Sequence, residues 1–326
     1  MNRSCRLRQK KPPRSLALFE VRKPPDEGGF LLVTGCGNPA SPSGIECGKM
    51  REPYSRYLRL LGFDHPLSDL EGLRQVVRRH VIRVPFENIS KLLLVGRERR
   101  GRVTALAEFL DGLERYDLGG TCYTANPFLA GLLREMGYDA DLLGCDMAHA
   151  NVHTAIRVRV GGDQYHVDVG YGGPFYEPLP LAELPREMNQ GPYRYVLDRG
   201  GDGRLALNVF KGEERVHGYA VNETPREFAF FRDIILDSFR PAATFMTRLR
   251  VVRYFEDHSV ELKNSLVTCH RGSESEETRL TSMKQLRRIF DDEFHMPRCP
   301  EEEAVQTLEQ LMGQSFFAMG EGDPFG

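Results

Sequence analysis

Tryptophan is absent from this 326-residue chain, and no apolar run approaches the ~20 residues a membrane-spanning helix requires. Neither sign of charge dominates: 44 Lys and Arg stand against 46 Asp and Glu, a net charge of −2. That balance offers no reason to expect nucleic acid or an anionic membrane as a partner. The seven cysteines (5, 36, 47, 122, 145, 269 and 299) are scattered, odd in number and free of any Cys-x-x-Cys pair. Such spacing argues against a disulfide framework and a structural zinc site, and the expectation is reduced thiols in a cytoplasm with no metal.

What is present suits a soluble globular protein of two or three packed units, with 40% hydrophobic and 28% charged residues. Residues 1–49 differ from the rest. They open basic, run through Pro, Gly and Ser, and show no amphipathic period. They lack the apolar stretch of a secretory signal. Three readings remain: a disordered extension, a transit peptide, or upstream sequence ahead of a true start at Met50. A chain beginning at Met50 is expected to fold. From Tyr54 to about residue 140 the pattern is mainly helical. Tyr54–Leu61 forms a short helix closed by Gly62, Ser68 and Glu71 make a capping box, and Pro85 stops the next helix. Ala105–Arg115 is a further helix. Near 150 the pattern changes to alternation, with Val152, Thr154, Ile156, Val158 and Val160 on one face. Shorter strands follow at 193–198, 204–210 and 216–220, an antiparallel sheet or small barrel. After 224, short helices (226–231, 281–290, 301–312) mix with strands (249–255, 259–270).

Cys122 is the cysteine with a distinctive setting. Gly119-Gly120-Thr121-Cys122 precedes the helical pattern Phe128, Leu129, Leu132, Leu133, Met136, which ends at Gly137. A cysteine at a helix N-terminus meets free N–H groups and the positive end of the dipole, which favour the nucleophilic thiolate. The preceding glycines would let backbone N–H groups approach an acyl oxygen, as an oxyanion hole requires. A lone cysteine there is more often structural, and only a base within reach changes that. Cys145 and Cys269 lack this setting and read as core or surface thiols.

The base follows from hairpin geometry. If Gly161-Gly162 is a two-residue turn, Val160 pairs with Asp163 and paired residue numbers sum to 323. His153 and Asp168 then share a face as diagonal neighbours, roughly 7–8 Å apart at the backbone. A four-residue loop would keep them together, and a three-residue loop would separate them. An aspartate can fix one imidazole nitrogen while the other addresses a nucleophile. His166 shares this face, opposite Arg157, and is expected to be an exposed, dispensable strand histidine.

On these residues the sequence resembles the arylamine N-acetyltransferases. The matching pieces are Leu60-Leu61-Gly62-Phe63, Val84-Pro85-Phe86-Glu87-Asn88, Gly119-Gly120-Thr121-Cys122 with Asn126, Val152-His153-Thr154, and Val167-Asp168-Val169-Gly170-Tyr171-Gly172. The resemblance implies an α+β fold with a cysteine-protease-like Cys-His-Asp core. It would comprise a helical domain (50–145), an antiparallel β-barrel (146–223) and an α/β lid (224–326). It implies a triad of Cys122, His153 and Asp168, acylated by acetyl-coenzyme A and deacylated by an arylamine or hydrazine. Gly172, Gly173 and Pro174 would line the coenzyme cleft. The family usually has Arg before Gly-Gly, where Leu118 stands, and Arg in the first helix, near Leu60. It usually has Glu or Gln two places after the cysteine, where Thr124 stands. Glu87 would thus lack its arginine partner, and small anilines are expected to be poorer acceptors than a bulkier or aliphatic amine. Three rival readings share these residues: a cysteine hydrolase or amidohydrolase, an amide synthase taking its chain from a carrier protein, and a catalytically inactive binding module.

Overall fold

The computed structural model describes residues 50–320, so the expectations for residues 1–49 lie outside the described residues. Helices come first: α1 (Tyr54–Leu60), α2 (Leu70–Arg83), α3 (Ile89–Glu98), α4 (Leu106–Tyr116) and α5 (Cys122–Glu135), with a two-residue strand β1 (Phe86–Glu87) between α2 and α3. The cap of α2 is Asp69, whose carboxylate accepts from Gly72 N at 2.7 Å, one residue beyond the expected Ser68 capping box. Tyr57, Leu73, Val77, Leu129 and Leu133 interlock in the helical core.

An eight-stranded antiparallel sheet follows: β2 (Asp139–Asp146), β3 (His153–Val160), β4 (Asp163–Val167), β5 (Leu179–Pro180), β6 (Arg186–Gln190), β7 (Tyr193–Arg199), β8 (Leu205–Lys211) and β9 (Glu214–Asn222). Its order is β5-β4-β3-β2-β9-β8-β7-β6. Leu179 near one edge shares a core with Tyr195 and Leu197 near the other, and Phe175 meets the Tyr195 ring at 6.0 Å. The sheet therefore curls into a near-closed barrel. Strand β3 buries both faces: Ile156 and Val158 pack on α5, while Ala155 faces the barrel lumen. Gly161 and Gly162 take φ of 63° and 90°, a turn that favours glycine, and Val160 pairs with Asp163 and Arg157 with His166. The two-residue register is the observed one.

The remainder comprises α6 (Arg232–Asp237), β10 (Arg250–Tyr254), β11 (Ser259–Lys263), β12 (Leu266–Arg271), β13 (Glu274–Arg279), α7 (Met283–Asp292) and α8 (Glu301–Met312). The strand expected over 259–270 divides at Asn264, whose φ of 49° makes a turn. These strands form a second sheet of order β1-β10-β11-β12-β13, so the first strand among the described residues belongs to the lid. Among the described residues no helix is long and apolar enough to cross a membrane.

Candidate active site

Cys122 opens α5 and is buried; as the first helical residue its N–H has no intrahelical acceptor. The turn before it is fixed by close approaches. A Cβ on Gly119 would lie 2.0 Å from the Pro85 carbonyl oxygen, and Gly120 has φ of 79°. Both glycine amides donate to Glu87, Gly119 N at 3.1 Å. Ser90 N donates to the same carboxylate at 2.7 Å. These two amides are therefore engaged by the carboxylate and not free for an acyl oxygen. Glu87 has backbone partners in place of the arginine, and burial raises its pKa against those three bonds.

Asn126, one turn into α5, ties the helix to the barrel. Its Nδ2 donates to the Thr154 carbonyl and, at 2.9 Å, to Asp168 Oδ1, and its Oδ1 accepts from Val169 N at 2.9 Å. Thr154 Oγ1 donates to the Cys122 carbonyl at 2.8 Å. Gly170 completes the seam: a Cβ there would lie 2.6 Å from Cys122 Cα and 2.8 Å from Asn126 Nδ2.

His153, at the start of β3, meets Asp168 Oδ2 through Nε2 at 2.8 Å, and the Cys122 sulfur is the other group near enough to influence its charge. That leaves Nδ1 for the thiol. Asp168 has four donors: His153 and Tyr219 Oη (2.9 Å) on Oδ2, Asn126 and Gly170 N (2.9 Å) on Oδ1. Burial alone would raise the Asp168 pKa, but His153 and these bonds bring it down to about 2. Burial likewise opposes the His153 imidazolium, yet the charges of Asp168 and Cys122 raise it to about 10. The structure thus bonds His153 to Asp168 and places Cys122 close enough to influence the imidazole.

His166 differs from expectation. It is buried, because its face of the hairpin is the barrel lumen, and its Nε2 lies 2.8 Å from Tyr219 Oη. Tyr219 gives its single proton to Asp168, so His166 must donate to Tyr219. Burial lowers His166 to about 4, which keeps it neutral. Tyr219 itself, on β9, carried no sequence signal beyond being a strand aromatic; its ring lies 4.9 Å from that of His153. Gly172, Gly173 and Pro174 form the turn beyond Asp168. The Gly172 carbonyl accepts from Tyr254 Oη at 2.9 Å, and a Cβ on Gly172 would meet Phe86 and Val252 at 3.5 Å. Two adjoining cavities, the larger about 320 Å³, lie between α3, α4 and the Gly119–Thr124 turn. Neither is lined by Cys122 or by the Gly172–Pro174 turn.

Residues 69–298 match the family model described as N-acetyltransferase. This chain belongs to the arylamine N-acetyltransferase family. A relative, the arylamine N-acetyltransferase of Mycolicibacterium smegmatis, is 28% identical over 249 residues, covering 71% of this chain and 86% of its own length. Arylamine N-acetyltransferase 1 of Mus musculus is 26% identical, covering 61% of this chain and 68% of its own. Among solved structures, the arylamine N-acetyltransferase from Mycobacterium abscessus aligns with a TM-score of 0.67 at 21% identity, over 80% of this chain and 95% of that one. The Mycobacterium marinum enzyme in complex with CoA aligns with a TM-score of 0.66 at 23% identity, over 78% and 98%. Membership makes the chain an acyltransferase.

Proposed function

We propose that this acyltransferase moves an acetyl group from acetyl-coenzyme A to the nitrogen of an arylamine or hydrazine through an acyl-cysteine at Cys122, by a ping-pong mechanism. The observation that carries the reading is the placement of Cys122, at the start of a helix, beside a buried His153 that is bonded to Asp168. Asp168 holds the Nε2 proton of His153, which leaves Nδ1 to take the thiol proton. The thiolate attacks the thioester carbonyl carbon. The developing oxyanion takes the Cys122 N–H and a neighbouring amide of the helix's first turn, since the two glycine amides serve Glu87. The carbon–sulfur bond to coenzyme A breaks, and its thiolate takes the imidazolium proton. The amine then attacks the acyl-cysteine while His153 accepts its proton, and the carbon–sulfur bond to Cys122 breaks to release the amide and regenerate the thiolate. Gly172, Gly173 and Pro174, beside Phe86 and Val252, are the proposed wall of the coenzyme cleft, and the dispersed cysteines favour a cytoplasmic setting.

Intact-mass and peptide analysis after mixing the protein with acetyl-coenzyme A tests the reading. The expected result is an adduct of about 42 Da on Cys122 that an arylamine discharges and that Cys122→Ser never forms. An adduct that water discharges as fast as any amine would indicate a hydrolase. No adduct from acetyl-coenzyme A, with loading from an acyl carrier protein, would indicate an amide synthase. An acceptor screen led by small anilines would show that Leu118 and Leu60 do not redirect specificity.

A further inference from the structure

Lys91 lies in the first turn of α3 and is 7% exposed, an unusual place for an ammonium group. Its Nζ donates to the Ser238 carbonyl at 2.9 Å and to Ser238 Oγ at 2.6 Å, and it stands 4.3 Å from the centre of the Phe239 ring. All three partners are neutral. The acid one turn earlier, Glu87, has the spacing of a helical ion pair. Its carboxylate is instead taken by the amides of Ser90, Gly119 and Gly120. Glu98 and Glu108 grip Arg102, the other cation beside Lys91. Among the described residues, no carboxylate contacts Lys91 and its third N–H has no acceptor. A buried charge without a counter-charge is costly and calls for a reason.

The small cavity that Lys91 lines is walled on its other side by Gly120, Thr121, Tyr123 and Thr124, the turn and first residues of the helix that Cys122 opens. The titratable groups that interact with Cys122 come from every side: His153 on β3, with Asp168 behind it, Cys145 on β2, Tyr123 on α5 itself, and Lys91 on α3. Glu87 faces the glycine turn just before it. Only His153 and Lys91 can be cations. We infer that Lys91 is a positioning residue for the nucleophile: its charge, kept apart from every acid, biases Cys122 toward the thiolate from the α3 side while His153 acts from the β3 side. Burial pulls Lys91 down to about 8, and the charge of Cys122 opposes that shift, so the two support each other.

The inference rests on Cys122 being the nucleophile, and it has a consequence for acylation. The thioester that forms is neutral, and coenzyme A leaves with the proton from His153. Lys91 then loses its counter-charge and releases a proton to solvent near pH 8.

The test is the rate of iodoacetamide alkylation of Cys122 against pH in the full chain, for wild type, Lys91→Met and Lys91→Arg. We expect labelling at pH 6 to be roughly tenfold slower in Lys91→Met, with Lys91→Arg restoring it. An unchanged curve in folded Lys91→Met overturns the inference. Should that variant not fold, wild type decides. Single-turnover acetylation by acetyl-coenzyme A in weakly buffered indicator dye at pH 8 should release a fraction of a proton per adduct, and no release overturns the inference. Wild-type protein that forms no acetyl adduct on Cys122 instead refutes the nucleophile itself, a failure distinct from that of Lys91.

Discussion

Asp168→Asn is the sharpest perturbation of this site, because four donors converge on that carboxylate. An amide must turn its NH2 one way or the other. Facing Oδ2's partners, it meets the His153 N–H and the Tyr219 O–H; facing Oδ1's, it meets the Asn126 NH2 and the Gly170 N–H. Either orientation opposes two donors to a donor. A hydrogen bond to a charged group contributes about 1.5–3 kcal/mol, so losing two removes roughly 3–6 kcal/mol. At about 2–4 °C per kcal/mol for a chain near this size, the melting temperature should fall by roughly 6–24 °C. Catalysis should suffer more. Without the Asp168 charge, burial dominates at His153 and the imidazolium is disfavoured. The ring can satisfy an NH2 on its Nε2 side only by moving its own proton to Nδ1, where it can no longer accept from Cys122. A tautomer error of this kind costs about 10⁴ in kcat in a Ser-His-Asp triad. The assays are acetyl-adduct formation and kcat on any accepted arylamine, with calorimetry alongside. A variant within tenfold of wild-type kcat, melting within 2 °C of it, would refute the four-donor account.

Further outcomes follow from the same contacts. Tyr219→Phe strands the His166 N–H and removes one of Asp168's donors, so it should lower stability by about 2–4 kcal/mol, read by denaturant titration, while kcat falls far less than in Asp168→Asn. His166→Ala, silent if that residue were exposed, should instead lower stability by about 1–3 kcal/mol; an unchanged denaturation midpoint would refute its role in the chain of bonds. Gly170→Ala would press a methyl group into Cys122 Cα and should abolish both rapid alkylation and turnover; normal kcat would contradict that geometry. His80 is buried, neither ring nitrogen has a partner among the described residues, and burial lowers its pKa to about 3. The unfolded chain, with His near 6.5, binds the proton first, so stability is present above about 6.5 and is lost as pH falls toward 3. His80→Leu should flatten that acid slope in melting temperature against pH, and an unaltered slope would count against it.

The meeting of His153 with Asp168 was legible in the sequence because hairpin register is arithmetic: Gly161-Gly162 sets the pairing, and period two puts both residues on one face. The same arithmetic put His166 on that face but could not say what covers it. Its cover is Tyr219, from a strand more than 50 residues later, and only barrel closure brings the two together. The expectation that Glu87 lacks an arginine was legible; that backbone amides would replace it was not, since no side-chain pattern records where a main-chain N–H points. Strands β6 and β13, REMNQ and ESEETR, show no apolar alternation because they are polar edges of their sheets. Strand β2 was missed as well, its inward run Leu142-Leu143-Gly144-Cys145 being buried on both faces and so lacking a period.

The two-residue strand Phe86–Glu87 does two jobs at once. Its backbone pairs with Val251 and Val252 in the lid sheet, while its Glu87 side chain grips the glycine turn that carries Cys122. The second sheet and the turn before Cys122 therefore share a fastening only two residues long. A lid that swung outward on a hinge would drag the glycine turn with it and break the alignment of Cys122 with His153.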